Sequence, residues 1–201
     1  ETFESDYILI LSGDQLYQMD FAEMLDNHKA LGADISVATI PVAEREASEF
    51  GILKSGDGLI KSFIEKPKKE LLEEWISDTG DDMKNQGRNY LASMGIYIFN
   101  TKLLYELLRD EYKDATDFGK EIIPNSIDKY KVASYQYDGY WTDIGNIYSF
   151  FEANLDLTKE IPLFNLFDND RNIYTRTRML PPAKIKETKL EKTLVAEGSI
   201  I

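Results

Sequence analysis

Two aspartates stand where a carboxylate could do chemistry. Asp14 follows a short aliphatic run and the small residues Ser12 and Gly13, and Asp143 lies among aromatic residues between two glycines, in Gly-Tyr-Trp-Thr-Asp-Ile-Gly of residues 139–145. Mg²⁺ is typically held by one or two carboxylates together with substrate phosphates. If the two side chains converge at a sheet edge, the pair predicts a magnesium site. The alternative for Asp14 is an ordinary Asx-turn or helix N-cap, and a buried Asp143 would need a partner in any case.

A phosphate ligand also requires a cation, because the chain carries a net charge of −13. Lys66 follows an apolar run that ends at Glu65, and Pro67 fixes the turn after it. Lysine is a compact charge suited to phosphate, although a Glu-Lys pair is also an ordinary solvated surface feature. Ser93 could donate to a sugar or phosphate oxygen, or be a plain loop serine. We interpret His28 as a packing residue of a helix face.

The apolar pattern predicts the elements that must position these residues. A strand over 7–11, a helix over 21–31 and a strand over 34–41 form a strand–helix–strand unit, which implies a parallel sheet with a right-handed crossover. A hairpin over 51–65 follows, with a turn rich in glycine. Further along the chain we expect a strand at 94–99, a helix capped by Asp117, an edge strand at 131–137 and a helix at 147–157. The sequence therefore predicts an α/β domain whose ligands bind beyond the carboxyl ends of the strands.

Composition excludes several classes of protein. Hydrophobic residues make up 43% and aromatic residues 12% of the chain, which predicts a packed core and not a disordered chain. The acidic charge argues against a nucleic-acid partner, and the absence of cysteine excludes disulfides and thiolate metal sites. No apolar run approaches the roughly 20 residues that span a bilayer. The acidic start at Glu1 is unlike a signal peptide, and we expect that the chain was cut from a longer protein.

The residue composition of the sequence changes after Lys159. Residues 1–158 are predicted to belong to an α/β domain, residues 159–185 to form a proline-punctuated linker, and residues 186–201 to form the first rungs of a hexapeptide-repeat β-helix. Because such a solenoid needs about three repeats for stability, the last segment is expected to be only a beginning.

Five ordered motifs resemble those of the glucose-1-phosphate adenylyltransferases, also called ADP-glucose pyrophosphorylases. They are Leu-Ser-Gly-Asp-Gln-Leu-Tyr-Gln-Met-Asp at 11–20, Phe-Ile-Glu-Lys-Pro at 63–67, Ser-Met-Gly-Ile-Tyr at 93–97, Asp-Phe-Gly-Lys-Glu-Ile-Ile-Pro at 117–124 and Tyr-Trp-Thr-Asp-Ile-Gly at 140–145. Residues 174–182 also resemble the linker before that family's β-helix. The resemblance implies a partial Rossmann-like nucleotidyltransferase fold, doubly wound with a mostly parallel sheet, followed by the start of a left-handed β-helix. It also implies that residues 1–158 are the C-terminal part of a sugar nucleotidyltransferase catalytic domain.

The resemblance also implies an activity and its residues. ATP and α-glucose 1-phosphate would give ADP-glucose and diphosphate, the activating step of glycogen or starch synthesis, with Mg²⁺ as cofactor. The catalytic residues would be Asp14 and Asp143, which bind the metal, and Lys66, which contacts the sugar phosphate. The remaining glucose 1-phosphate ligands would be Gly51, Glu65, Ser93, Tyr97, Asp117 and Trp141. The full-length protein would be a homo- or heterotetramer, cytoplasmic or, in a plant, plastidic, without nucleic-acid or membrane partners.

The sequence departs from the family at two places. Position 15 is Gln where the family often has His. The family's N-terminal Gly-rich nucleotide loop has no counterpart here, so we expect the chain to carry the sugar-phosphate and metal half of the site and to show little activity by itself. Two alternatives stay open: a regulatory subunit that keeps the fold without turnover, and a relative that uses another sugar or base. Retention of Asp14, Lys66 and Asp143 favours the catalytic interpretation.

Overall fold

The computed structural model describes residues 5–169, 172–174 and 176–201. The chain divides into two compact units, Glu1–Gly13 with Met19–Asp138, and Asp14–Gln18 with Gly139–Ile201. Within the described residues, no helix is both long and apolar enough to cross a membrane.

The strands and helices are numbered in chain order. The strands are β1 (Tyr7–Ile10), β2 (Gln15–Tyr17), β3 (Ile35–Val42), β4 (Gly51–Gly56), β5 (Leu59–Glu65), β6 (Tyr90–Asn100), β7 (Val132–Gln136) and β8 (Trp141–Asp143). The α-helices are α1 (Phe21–Leu31), α2 (Glu44–Ala47), α3 (Asp81–Asn85), α4 (Thr101–Glu106), α5 (Ile123–Ser126) and α6 (Ile147–Asp156). A 3₁₀ helix covers Lys69–Trp75, and π-helical turns cover Leu107–Glu111 and Phe118–Ile122.

The first unit contains a mixed six-stranded sheet in the order β1-β6-β3-β7-β5-β4, with an additional pairing between β4 and β6. Only β3 and β7 pair in parallel among the described strands, and the other pairings of this sheet are antiparallel. The prediction of an α/β domain is confirmed, but the prediction of a mostly parallel sheet is wrong. Strand β6 lies between β1 and β3 and runs antiparallel to both, so the two strands of the predicted strand–helix–strand unit do not pair. Strand β7 is likewise an inner strand and not an edge strand.

The core forms where β3 crosses the middle of this sheet. All eight residues of β3 are buried, which explains its run of alanine and β-branched residues, since both faces of the strand are covered. Helix α1 begins at the N-cap Asp20, whose carboxylate accepts a hydrogen bond from the backbone N–H of Ala22 at 2.8 Å. The helix ends at Gly32 in the left-handed conformation, with φ of 56°. Because Asp20 caps α1, the helix-cap alternative for Asp14 is excluded.

A tight hairpin joins β4 to β5, as predicted. Its two turn residues, Asp57 and Gly58, have φ values of 55° and 75°, the left-handed pair that matches the twist of a two-residue hairpin. The register pairs Gly51, the first residue of β4, with Glu65, the last residue of β5. The hairpin thus places two of the predicted sugar ligands side by side.

The second unit is built around the antiparallel pair β2 and β8, followed by α6. Asn146 caps α6 by accepting a hydrogen bond from the backbone N–H of Ser149 at 2.9 Å. In the described residues beyond α6, the only regular pairing is an isolated parallel bridge between Lys184 and Ile200. The division into residues 1–158, 159–185 and 186–201, including the β-helix at the end, stays a prediction.

Candidate functional site

The two predicted metal acids meet in the second unit. Asp143 ends β8 and pairs in register with Gln15, the residue directly after Asp14. The backbone oxygen of Asp14 accepts a hydrogen bond from the N–H of Ile144 at 3.0 Å, and Oδ1 of Asp143 accepts one from the N–H of Gly145 at 2.8 Å. The strand pair and these two bonds fix the backbone on both sides of the carboxylates.

Gly145 shows that the two carboxylates face the same space. A Cβ at this position would lie 2.9 Å from Oδ1 of Asp143 and 3.1 Å from Oδ2 of Asp14. Both oxygens are therefore directed to one point, and glycine is the residue that leaves it open. Two carboxylates beside an open space fit a hard divalent cation. Among the described residues, no group of three or more His, Cys, Asp or Glu side chains could hold a metal.

In the first unit, a second glycine makes room for Glu65. A Cβ at Gly51 would overlap the ring of Phe63 and would lie 2.8 Å from Oε2 of Glu65. Glycine at position 51, which was predicted to belong to the site, therefore has a steric reason. Without a side chain there, the carboxylate of Glu65, its cross-strand partner, can lie against β4.

Three side-chain oxygens surround Gly119. A Cβ there would lie 3.5 Å from Oδ1 of Asp117, 3.6 Å from Oε2 of Glu65 and 3.7 Å from the hydroxyl of Tyr97. The ring of Tyr97 stacks on Phe118 with 5.8 Å between ring centroids. Two carboxylates and a phenol around one bare backbone position form a polar hollow, and carboxylate oxygens are acceptors for hydroxyl donors. We call these residues, Glu65, Tyr97, Asp117 and Gly119, the oxygen hollow.

The surroundings of the oxygen hollow shift the pKa values of its side chains. Burial raises the pKa of Glu65, the neighbouring Asp117 raises it further, and the ammonium groups of Lys66 and Lys120 oppose both effects. Burial raises the pKa of Tyr97 to about 12. A hydrogen bond with Ser93 lowers this pKa, whereas the negative charges of Asp117 and Glu65 raise it further. Tyr97 is therefore a neutral hydrogen-bonding group at neutral pH.

Asp117 stays readily ionised. Burial works to raise its pKa, but hydrogen bonds and the positive charge of Lys120 outweigh burial and hold the pKa below its usual value. The backbone N–H of Lys120 donates to Oδ1 of Asp117 at 3.0 Å, and Nζ of Lys120 lies 3.3 Å from Oδ2. Asp117 is also the N-cap of the π-helical turn, as predicted. The carboxylate is thus held in one orientation at the edge of the hollow.

The remaining predicted ligands of the first unit lie at the end of a strand or within one. Lys66 has a left-handed backbone with φ of 45° and an exposed side chain, and its N–H donates to the carbonyl of Phe50 at 3.1 Å. Such a conformation is strained for a non-glycine residue, and it turns the chain sharply after Glu65. Ser93 lies within β6 and not in a loop, and its Oγ accepts from the N–H of Gly95 at 3.3 Å.

Trp141 belongs to the second unit, where it begins β8. Its indole Nε1 donates a hydrogen bond to Oε1 of Gln15 at 3.1 Å. Sequence reasoning missed three residues that the structure adds to these two groups: Gly119, Lys120 and Gly145. Each stands inside one of the quoted motifs, but only the folded chain shows which atoms their side chains or bare backbones face.

His28 packs as predicted. It is 1% exposed, and its ring nitrogens hydrogen-bond Ser36 Oγ at 2.8 Å and Asn100 Oδ1 at 3.3 Å. Burial lowers its pKa, which favours the neutral ring inside the core.

Comparisons with known proteins identify the family of the chain. The family model described as nucleotidyl transferase matches residues 1–160. The glucose-1-phosphate adenylyltransferase small subunit, chloroplastic/amyloplastic, of Triticum aestivum is 42% identical over 200 residues, which is 96% of this chain. The chain spans 42% of the length of that relative. The resemblance inferred from the motifs is confirmed.

Proposed function

The chain belongs to the nucleotidyl transferase family, and from that premise we propose that it carries out the glucose-1-phosphate adenylyltransferase reaction as part of its full-length protein. A phosphate oxygen of α-glucose 1-phosphate attacks the α-phosphorus of ATP. The bond from that phosphorus to the oxygen bridging to the β-phosphate breaks, and diphosphate leaves. The products are ADP-glucose and diphosphate.

The oxygen hollow is the observation that carries the sugar half of this proposal. Glu65 and Asp117 accept hydrogen bonds from sugar hydroxyls, and neutral Tyr97 and Ser93 provide hydroxyl groups beside them. Each hydrogen bond to an ionised group contributes about 1.5–3 kcal/mol to affinity. Lys66, fixed by its turn, binds the phosphate, and Trp141 offers an aromatic face to the substrate.

The carboxylate pair of Asp14 and Asp143 supports the metal half. The two side chains would hold Mg²⁺, which would neutralise phosphate charge and orient the reacting groups when bound. Such a reaction does not require the protein to form a covalent bond with the substrate. The protein mainly positions two anions and offsets their charge. Pre-positioned carboxylates, a lysine and sugar ligands meet that need.

Two other functions compete with this proposal. A regulatory subunit would keep the fold and the sugar group without turnover, and a relative could use another sugar or base. Retention of Asp14, Lys66 and Asp143 favours catalysis, because a chain without catalytic duty has no need of all three. The wheat relative is named as a subunit of a chloroplastic or amyloplastic enzyme. We therefore propose a multisubunit protein, a homo- or heterotetramer, located in the cytoplasm or, in a plant, the plastid.

We also propose that residues 186–201 begin a β-helix. The parallel bridge between Lys184 and Ile200 supports it, together with hydrogen bonds from Lys184 N–H to Ser199 O at 2.8 Å and from Ile201 N–H to Lys184 O at 2.9 Å. Parallel pairing of segments about one coil apart in sequence is what stacked solenoid coils require.

A diphosphate-release assay on the full-length protein tests the proposal. ATP with glucose 1-phosphate should give Mg²⁺-dependent release. Replacing ATP by UTP, GTP or dTTP, or glucose 1-phosphate by mannose 1-phosphate, should lower kcat/KM by at least about 100-fold. Equal or faster release with another pair would assign the protein to that substrate, and no release with any pair would favour the regulatory subunit.

A further inference from the structure

Gln15 lies next to both acids of the second unit and bonds its tryptophan. It follows Asp14 directly in the chain, pairs in register with Asp143, and accepts the hydrogen bond of the Trp141 indole at 3.1 Å. The residue is partly buried. Its side-chain amide thus ties the indole to the strand position that lies beside the two acids.

The hydrogen bond limits how the indole can lie. A tryptophan side chain has only two rotatable bonds, so one directed bond to Nε1–H, added to packing against the strand, selects a single ring orientation. An indole N–H that is shielded from water also needs an acceptor, since the loss of the hydrogen bond costs free energy, and this bond is partly buried. A side chain without an oxygen at position 15 would remove this acceptor and with it one constraint on the orientation of the ring.

An amide suits position 15 better than a carboxylate would. The carbonyl oxygen of Gln15 accepts without carrying a charge, whereas a carboxylate here would add a third negative group next to Asp14 and Asp143. The uncharged acceptor thus orients Trp141 without adding repulsion between the two carboxylates or altering the charge that a bound cation meets.

We propose that Gln15 is a positioning residue, which orients the indole of Trp141 for the sugar-phosphate substrate. The proposal rests on the proposed function, because it assigns Trp141 to that substrate. Gln15 acts through Trp141 and does not touch reacting atoms. The loss of its acceptor should therefore raise KM for glucose 1-phosphate by about 3- to 10-fold, the range of one neutral hydrogen bond, and leave KM for ATP and kcat within about 2-fold.

The variants Gln15→Met and Gln15→Leu in the full-length protein test this inference, with Gln15→Glu as the variant that retains an acceptor oxygen. The protein is labelled with ¹⁵N-tryptophan, and Trp141→Phe identifies the indole resonance of Trp141. That resonance should move upfield and its hydrogen exchange should accelerate in Gln15→Met and Gln15→Leu, but stay near its original position in Gln15→Glu.

A double-mutant cycle separates positioning from a general structural role. In the Trp141→Phe background, Gln15→Met should have no further effect on KM for glucose 1-phosphate, because no indole is left to orient. Additive effects of the two substitutions would overturn the proposal, as would an unmoved Trp141 resonance in both acceptor-free variants. If those variants fail to fold, rapid exchange of the Trp141 N–H in the unaltered protein would overturn it, and protection would support it.

A failure of the Gln15 proposal can be distinguished from a failure of the proposed function. A protein that releases no diphosphate with any substrate pair refutes the function, whereas the resonance of Trp141 reports on Gln15 without turnover. If the indole responds as expected but KM for glucose 1-phosphate is unchanged in an active enzyme, the positioning role for the substrate is wrong while the adenylyltransferase proposal stands.

Discussion

Asp14 and Asp143 direct carboxylate oxygens to the same point, within 3.1 Å of where a Cβ on Gly145 would lie. Two carboxylates beside one open space fit a hard divalent cation, which is the role that the proposed function gives them. The residue that keeps the point open, Gly145, gives the first prediction.

The substitution Gly145→Ala should impair catalysis more than stability. Its methyl group would press on the oxygens of both aspartates, and a small displacement of aligned groups can cost up to about 100-fold in rate. We expect kcat to fall between about 10- and 100-fold at limiting Mg²⁺. Because Gly145 is exposed, the free energy of unfolding should change by less than about 0.5 kcal/mol.

Steady-state kinetics across a Mg²⁺ titration, with urea unfolding alongside, provide the measurement. Gly56→Ala is the matched control, because a Cβ at Gly56 would meet only Lys61 carbons at ordinary contact distances of 3.7 Å or more. Full activity and unchanged Mg²⁺ dependence in Gly145→Ala would show that the open space is not used.

The substitution Glu65→Gln should separate function from stability. Burial and Asp117 raise the pKa of Glu65, so the folded state prefers the protonated acid, and stability from this group is present below its unfolded pKa and lost as pH rises through the folded value. Glutamine does not ionise, so wild type should lose stability relative to Glu65→Gln as the pH rises above the unfolded pKa of about 4.3. KM for glucose 1-phosphate should rise about 10- to 100-fold in the variant.

Urea unfolding at several pH values and kinetics at neutral pH check both parts of the Glu65 prediction. A wild type that gains stability over Glu65→Gln as pH rises would mean that the carboxylate is stabilised by its lysines more than burial disfavours it.

The substitution Lys120→Met should raise the pKa of Asp117. Although burial opposes ionisation, the hydrogen bonds and charge of Lys120 lower that pKa in the folded protein. Asp117 therefore contributes stability that is present above its unfolded pKa and lost as pH falls through the lower folded value. Lys120→Met should cost about 0.2–1 kcal/mol at neutral pH, the usual range for an exposed pair.

This cost should disappear once the pH falls below the lowered folded pKa of Asp117, because the carboxyl group is then protonated in both proteins. Lys120→Arg retains the charge and should retain most of the stability. Unfolding free energies measured at pH 7 and in acid compare the three proteins, and an equal loss at both pH values would point to lost packing and not to the ion pair.

The substitution His28→Gln should leave turnover unchanged. Burial lowers the pKa of His28, so its neutral ring contributes stability that is present above the unfolded pKa of about 6.5 and lost as pH falls through the folded value. Wild type should therefore lose stability as the pH falls below about 6.5, whereas the variant should lack this decline. A fall of more than about 10-fold in kcat/KM in a folded variant would give His28 a role in the site.

Local pattern was enough to predict the elements near the site. The turn glycine and aspartate between β4 and β5 predicted the hairpin, and the apolar spacing over 147–157 predicted α6. Asp117 was predicted correctly as a cap. These features depend on neighbours in the chain, which a sequence displays directly.

Strand order depends on distant segments, and there the prediction was wrong. Nothing in the runs over 7–11 and 34–41 shows that β6, which begins only at Tyr90, inserts between them in the opposite direction. The same limit applies to the site. Gly145 and Gly119 were visible as motif glycines, but the oxygens that surround them come from residues such as Asp14 and Glu65, which fold in from elsewhere.

The turnover of Asp143→Asn and Asp14→Asn in the full-length protein tests the central claim most directly. Diphosphate release from ATP and glucose 1-phosphate should fall by about 1,000-fold or more in each variant, since each removes a charge on which the metal depends. Asp138→Asn, an exposed control, should match wild type, and all three should keep the wild-type circular dichroism spectrum. Folded Asp14→Asn and Asp143→Asn proteins with turnover within about 3-fold of wild type would contradict the account.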